Sequence, residues 1–147
     1  MKIQPKYSLD ELPGTPQTRV FIACSYEWPW IKIIEEMRRV VEKCAYQPII
    51  AHDFDIPRGA TRHFCNTLMD LCNTAIFEVT DRSGQYMELE NAHHIQNISK
   101  TLCVYQENAI ISEMVTSSTI FQENNESYSD SRDLNLIIRE FLLVKQR

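Results

Sequence analysis

The sequence predicts an α/β domain, a three-layer αβα sandwich around a central, mainly parallel sheet of about five strands. Two observations carry this expectation. Short, nearly continuous apolar runs recur without polar alternation, as strands buried on both faces require. Between them lie segments whose apolar residues return every three or four positions, the pattern of a helix with one buried stripe. Strands alternating with helices imply right-handed crossovers and a parallel sheet covered on both sides.

Residues 1–18 carry Pro5, Pro13, Gly14 and Pro16 among polar residues and read as an irregular arm, with residues 19–147 forming the α/β domain. Residues 19–24, Arg-Val-Phe-Ile-Ala-Cys, make the first buried strand. Pro29 suits the first turn of a helix, where its missing N–H costs nothing. Trp30, Ile33, Ile34, Met37, Val41 and Cys44 then share one face, opposite Glu35, Glu36, Arg38, Arg39 and Glu42. Residues 48–51 form a second short strand, and 52–59 a polar loop rich in turn formers. A helix over 60–73 presents Phe64, Leu68, Leu71 and Cys72. Residues 75–79 form the third strand and 80–84 the loop after it. The next helix carries Tyr86, Leu89, His93 and Gln96 on one stripe and Glu88, Ala92 and Ile95 on another, which puts His93 at the sheet and His94 in solvent. Residues 101–105 are the fourth strand, 109–115 a short helix, and 118–121 a short fifth strand at the edge. After the polar residues 124–127, Asp130 or Ser131 caps a last helix that buries Leu134, Ile137, Ile138 and Phe141. The order corresponds to a flavodoxin-like sheet, with no internal repeat and no second domain.

A chain of 147 residues with 44% hydrophobic content fits one domain with an adequate core. Its net charge of -5 and lack of a basic run exclude bulk attraction to nucleic acid or an acidic membrane, while a small nucleotide responds to local groups. The five cysteines at 24, 44, 65, 72 and 103 are odd in number, show no C-x-x-C spacing and lie in apolar stretches. They read as buried, reduced thiols of a reducing compartment. No apolar run is long enough to span a bilayer and the N-terminus lacks a secretory pattern, so the expectation is a soluble cytoplasmic protein. With only three glycines and no G-x-G-x-x-G, the chain cannot build a glycine-rich phosphate cradle, which removes kinase, ATPase and ordinary dinucleotide-oxidoreductase readings. Adjacent His93 and His94 face different sides of a helix and have no third ligand at a diagnostic spacing, so no metal site is expected.

In folds of this class ligands bind beyond the carboxyl ends of the strands. Residues 25–28, 53–59 and 80–84 and the surroundings of Tyr105 lie there, with polar groups concentrated in the first three. The third leads into the helix holding Glu88 and Glu90. Taken alone, those two acids are ordinary solvated residues, favourably placed near a helix start. Over the strand ends, however, a carboxylate can act on a ribose, because breaking an N-glycosidic bond builds up positive, oxocarbenium-like charge at the anomeric carbon. Trp30 fits the helix core, whereas Trp28 lies in the loop, where it can stack on a base or simply cover the helix start. His52 and His63 flank the same region as phosphate contacts or ordinary surface residues. A Cys24–His52 nucleophilic pair is the weaker reading of a thiol that ends a buried strand.

Residues 20–26, VFIACSY, resemble the opening strand and loop of TIR domains, and 53–59, DFDIPRG, resemble the loop after their second strand. Residues 72–92, CNTAIFEVTDRSGQYMELENA, are similar to a pattern shared by TIR domains and nucleoside deoxyribosyltransferases: a hydrophobic strand, a polar loop, then E-L-x-x-A opening a helix. Residues 128–142 are similar to the closing segment of stand-alone bacterial TIR-like nucleotide-binding proteins. The resemblance runs from Arg19 onward. It implies that Glu88 acts at the ribose C1′ and that Ser25, Tyr26 and Asp81 lie near the substrate. Trp28, Asp53 and Arg58, from the same loops, complete the substrate-binding candidates. Three departures stand out. Glu90 replaces the Gly that usually follows E-L in deoxyribosyltransferases, their glycine-rich first loop is absent, and Tyr86-Met87 replaces the Trp-Cys frequent in TIR domains. The implied activity is cleavage of the nicotinamide–ribose bond of NAD, with NAD as substrate and no cofactor, in a signalling or antiviral-defence role. One alternative is a nucleoside or nucleotide N-glycosidase or deoxyribosyltransferase using the same Glu88; another is a non-catalytic TIR-like adaptor or nucleotide sensor. The expected partners are a small nucleotide and further copies of the chain, which complete the site in TIR-type assemblies, with neither nucleic acid nor membrane.

Overall fold

The computed structural model describes residues 9–25, 29–54, 61–81 and 85–143, without the side chains of residues 10, 61, 62 and 85–88. The strands are β1 (Arg19–Ala23), β2 (Gln47–Ile49), β3 (Thr74–Glu78), β4 (Lys100–Gln106) and β5 (Asn125–Tyr128). They form one five-stranded sheet in the order β2-β1-β3-β4-β5, every neighbouring pair parallel. The helices are α1 (Trp30–Lys43), α2 (Thr61–Asp70), α3 (Gln85–Ala92), α4 (Glu113–Thr116), α5 (Thr119–Glu123) and α6 (Ser131–Leu143).

Alternation along the central strands divides the core into two halves. Val20 and Ile22 of β1, Ile76 of β3 and Leu102 and Val104 of β4 face α1 and α6, meeting Met37, Val41, Leu134 and Ile138. Phe21, Ala23, Ala75, Phe77 and Cys103 face the other layer, against Leu68 and Met69 of α2, Leu89 of α3 and Phe121 of α5. All five residues of β1 and of β3 are buried, which is why these strands read as continuous apolar runs. Covering both faces is the three-layer architecture expected from the sequence.

The fifth strand corrects the sequence reading. Residues 118–121, expected as strand, lead into α5: the Ser118 hydroxyl caps it by accepting the Phe121 N–H at 3.2 Å. Four residues, Ser-Thr-Ile-Phe, are too few for periodicity to distinguish a strand from one helical turn, and here both Ile120 and Phe121 pack on the sheet face. The true edge strand is the polar Asn125–Tyr128, in which only Tyr128 is buried. Hydropathy cannot find such a strand, because a surface edge needs backbone pairing more than apolar side chains. The third helix also ends earlier than expected, at Ala92, so His93 leaves the helical stripe and both His93 and His94 are exposed.

Before β1, the chain makes two 3₁₀ turns, Leu9–Glu11 and Pro16–Thr18. Arg19, only 8% exposed, draws this segment onto the domain by donating to the carbonyls of Pro13, Gly14 and Leu71 at 2.9, 2.7 and 3.0 Å. The bend passes through Gly14 at a φ of 77°, a left-handed conformation that favours glycine. Among the described residues no helix is long and apolar enough to cross a membrane.

Candidate functional site

The strand order contains a switch point. From β1 the chain crosses through α1 to β2 on one side, then returns to β3 on the other side of β1. The helix after β1 packs on one face of the sheet, and the helix after β3 on the opposite face. The exits of β1 and β3 are therefore the place where open α/β sheets usually bind a ligand.

Cys24 and Ser25 lie at the β1 side of this switch point, 6% and 5% exposed. Thr80 and Asp81, both half-buried, lie at the β3 side. The two exits sense each other: burial pushes the Cys24 thiol far above its ordinary range, and the carboxylates of Glu78 and Asp81 push in the same direction. A thiol held neutral in this way is packing material, which disposes of the Cys24–His52 nucleophilic pair; His52 is exposed. All five cysteines are free and buried, as their apolar surroundings led one to expect.

Glu88 lies in the backbone of α3, which starts at Gln85, four residues beyond Asp81. Its neighbour Leu89 is fully buried and Ala92 is 3% exposed, so α3 is anchored in the core next to β3. The Glu88 side chain lies outside the described set, as do Tyr26, Trp28 and Arg58 entirely.

Ser25 and Asp81 thus follow two neighbouring strands, β1 and β3, whereas Asp53 is engaged elsewhere. It sits in a 3₁₀ turn after β2 (Ala51–Asp53), 3% exposed. Both its carboxylate oxygens are taken by the Arg38 guanidinium of α1, at 2.6 and 2.9 Å, and Arg38 is also bonded to Glu35 at 2.9 Å. The bidentate hydrogen bonds that Arg38 donates to the Asp53 carboxylate are the chief reason that its guanidinium is held protonated even more firmly than usual. Asp53 therefore ties α1 to the β2 edge; its oxygens are committed to the fold.

Sequence reasoning passed over the group with the most unusual environment. Glu78, the last residue of β3, is 1% exposed. It accepts the Thr80 N–H at 2.6 Å, the Thr80 hydroxyl at 2.9 Å and the hydroxyl of Tyr128 on β5. Burial raises its carboxyl above the ordinary range, and the hydrogen bonds from Tyr128 and Thr80 pull it back in part. Tyr128 is in turn pushed well up, first by burial and then by the Glu78 charge. A signal was present: a charged residue interrupts the otherwise apolar run of residues 75–79, where an isolated acid is costly.

Among the described residues no group of three or more His, Cys, Asp or Glu is placed to hold a metal ion. A hollow of about 330 Å³ lies between α1 and the start of α6, lined by Glu36, Arg39, Lys43 and Arg132. It lies on the helical flank of the domain.

No protein-family model matches the chain, and no curated protein matches it in sequence. Solved structures share its fold. A CMP N-glycosidase of Clostridium botulinum superposes with a TM-score of 0.59 at 18% identity, covering 82% of this chain and 96% of that one. A 2-deoxyribosyltransferase of Bacillus psychrosaccharolyticus superposes with a TM-score of 0.58 at 13% identity, over 80% and 90% respectively. The five-stranded parallel α/β fold therefore matches that of these two structures. Both likenesses fall on the nucleoside side of the sequence resemblance; neither is to a TIR domain.

Proposed function

We propose that this chain cleaves the N-glycosidic bond of a nucleoside or nucleotide, with Glu88 acting at the anomeric carbon. The supporting observation is the coincidence of motif and place. The E-L-x-x-A segment, residues 88–92, forms the second half of the helix that follows β3 at the switch point, in a fold shared with a CMP N-glycosidase and a 2-deoxyribosyltransferase. The reading revises the expectation of NAD as substrate, because both structural likenesses bear names of nucleoside or nucleotide chemistry.

In this mechanism the bond from the sugar C1′ to the base nitrogen breaks and its electron pair leaves with the base. The Glu88 carboxylate meets the positive charge that develops at C1′, either by forming a glycosyl ester or by electrostatic stabilisation. Water then completes a hydrolysis, giving up a proton as it attacks C1′, or an incoming base completes a transfer. Ser25 supplies a polar group at the β1 side and Asp81 a carboxylate at the β3 side, suited to sugar hydroxyls. Tyr26 and Trp28 offer ring surface to the base, and Arg58 offers a cation to a phosphate.

The test is incubation of purified protein with CMP, a panel of deoxynucleosides and NAD, with wild type and Glu88→Gln in parallel and products resolved by mass spectrometry. Base release from a nucleoside or nucleotide, abolished in the variant, is expected. Release of nicotinamide alone would return the site to NAD, and base release unaffected by Glu88→Gln would remove Glu88 from the chemistry.

A further inference from the structure

We propose that Glu78 is a positioning residue of this site: through Thr80 it holds the exit of β3 against the ends of β4 and β5, and so directs the chain toward α3, the helix that carries Glu88. The inference rests on the N-glycosidase reading and deepens it.

Glu78 stands at a place where the rest of β3 carries only small or apolar side chains and Thr74, and where a buried carboxyl is costly unless its oxygens are satisfied. Its partners supply that satisfaction, and all belong to strand exits. Thr80 donates twice, from its N–H at 2.6 Å and its hydroxyl at 2.9 Å. Tyr128, two strands away at the end of β5, donates its hydroxyl. The Thr80 oxygen then accepts the N–H of Gln106, the last residue of β4, at 2.8 Å. Beside this knot the Val79 N–H bonds the Val104 carbonyl at 3.0 Å, and the Glu107 N–H bonds the Tyr128 carbonyl at 2.9 Å. One carboxyl therefore joins the ends of three strands at the residue where the chain turns toward α3.

The geometry explains why such a device belongs here. A parallel sheet fixes β3 only as far as its ladder extends, and the chain beyond Val79 has to be directed by side chains. Leu89 and Ala92 anchor the far part of α3 in the core, and the Thr80 knot fixes the chain where it leaves β3. Small displacements at a reacting centre carry large penalties in rate, on the order of a hundredfold for 1 Å. An apolar residue at 78 would pack well but would leave the Thr80 N–H and the Tyr128 hydroxyl without this acceptor.

The experiment compares Glu78→Gln, Thr80→Val and Thr80→Ser with wild type for kcat, KM and thermal stability, on the substrate that wild type cleaves. Glu78→Gln and Thr80→Val are each expected to lower kcat by about tenfold to a hundredfold with KM changed by about twofold or less. Thr80→Ser keeps the hydroxyl and is expected to retain kcat to within about threefold. Thr80→Val leaves the buried carboxyl in place, so it reports on the knot even where Glu78→Gln folds poorly. Full kcat in folded Thr80→Val, or equal losses in Thr80→Val and Thr80→Ser, would overturn the positioning role while leaving the N-glycosidase reading intact. Absence of base release by wild type would instead defeat that reading, and this inference with it.

Discussion

Replacing Asp53 by Asn separates a residue of the fold from a residue of the site. The substitution conserves shape but removes the charge and one of the two acceptors facing Arg38, whose bonds to Asp53 measure 2.6 and 2.9 Å. The Asp53 side chain is 4% exposed and that of Arg38 16%, so the orphaned guanidinium cannot recover full hydration. Breaking a buried pair by removing one partner costs about 3–5 kcal/mol. Because Arg38 retains Glu35 at 2.9 Å and some solvent contact, the lower end, about 3 kcal/mol, is expected. For a domain of this size that loss lowers the melting temperature by about 10 °C. Differential scanning calorimetry and urea titration measure the loss; steady-state kinetics measure the site. The expected result is lower stability with kcat and KM changed by about twofold or less. A melting temperature within about 2 °C of wild type, together with a clearly raised KM, would refute the assignment of Asp53 to the fold and return it to the substrate.

Ser118→Ala removes the hydroxyl that caps α5 and is expected to cost about 1 kcal/mol in urea unfolding, whereas a residue in an edge strand would tolerate the change. The raised carboxyl of Glu78 makes stability depend on pH. The folded protein holds this proton more tightly than the unfolded chain does, so stability is lost as pH rises above the ordinary value of 4.5. Glu78→Gln cannot lose that proton, so its melting temperature relative to wild type is expected to rise between about pH 5 and about pH 8; a constant difference would contradict the shift. Burial lifts the thiols of Cys72 and Cys103 to about 12 and that of Cys24 higher still. At about pH 8 a thiol reagent is therefore expected to leave all three unlabelled in the native protein and to label them after denaturation.

Much of the fold was legible because its central elements are governed by burial. β1, β3 and β4 are apolar runs since both their faces are covered, and α1 and α6 show their core stripes openly. What escaped was governed by backbone pairing and capping. β5 is polar because it is an exposed edge, and α5 is set by one serine hydroxyl rather than by a long periodic pattern. At the candidate site, the motif singled out Glu88, and the topology puts Ser25 and Asp81 just beyond the neighbouring strands β1 and β3. Asp53 looked like a loop acid because its partner Arg38 is fifteen residues earlier, on a helix face that reads as solvent. Glu78 was overlooked because its partner Tyr128 is fifty residues later, a distance over which single-sequence patterns carry no signal.

The central claim is that a carboxylate on α3 acts on a nucleoside-type anomeric carbon. Base release from CMP and from a deoxynucleoside panel, with wild type and Glu88→Gln side by side at equal folded concentration, tests it most directly. The account predicts base release by wild type and a loss of about a thousandfold or more in the variant, with the fold unchanged by circular dichroism. Equal rates in the two proteins, or no cleavage of any nucleoside or nucleotide by the wild-type chain, would contradict it.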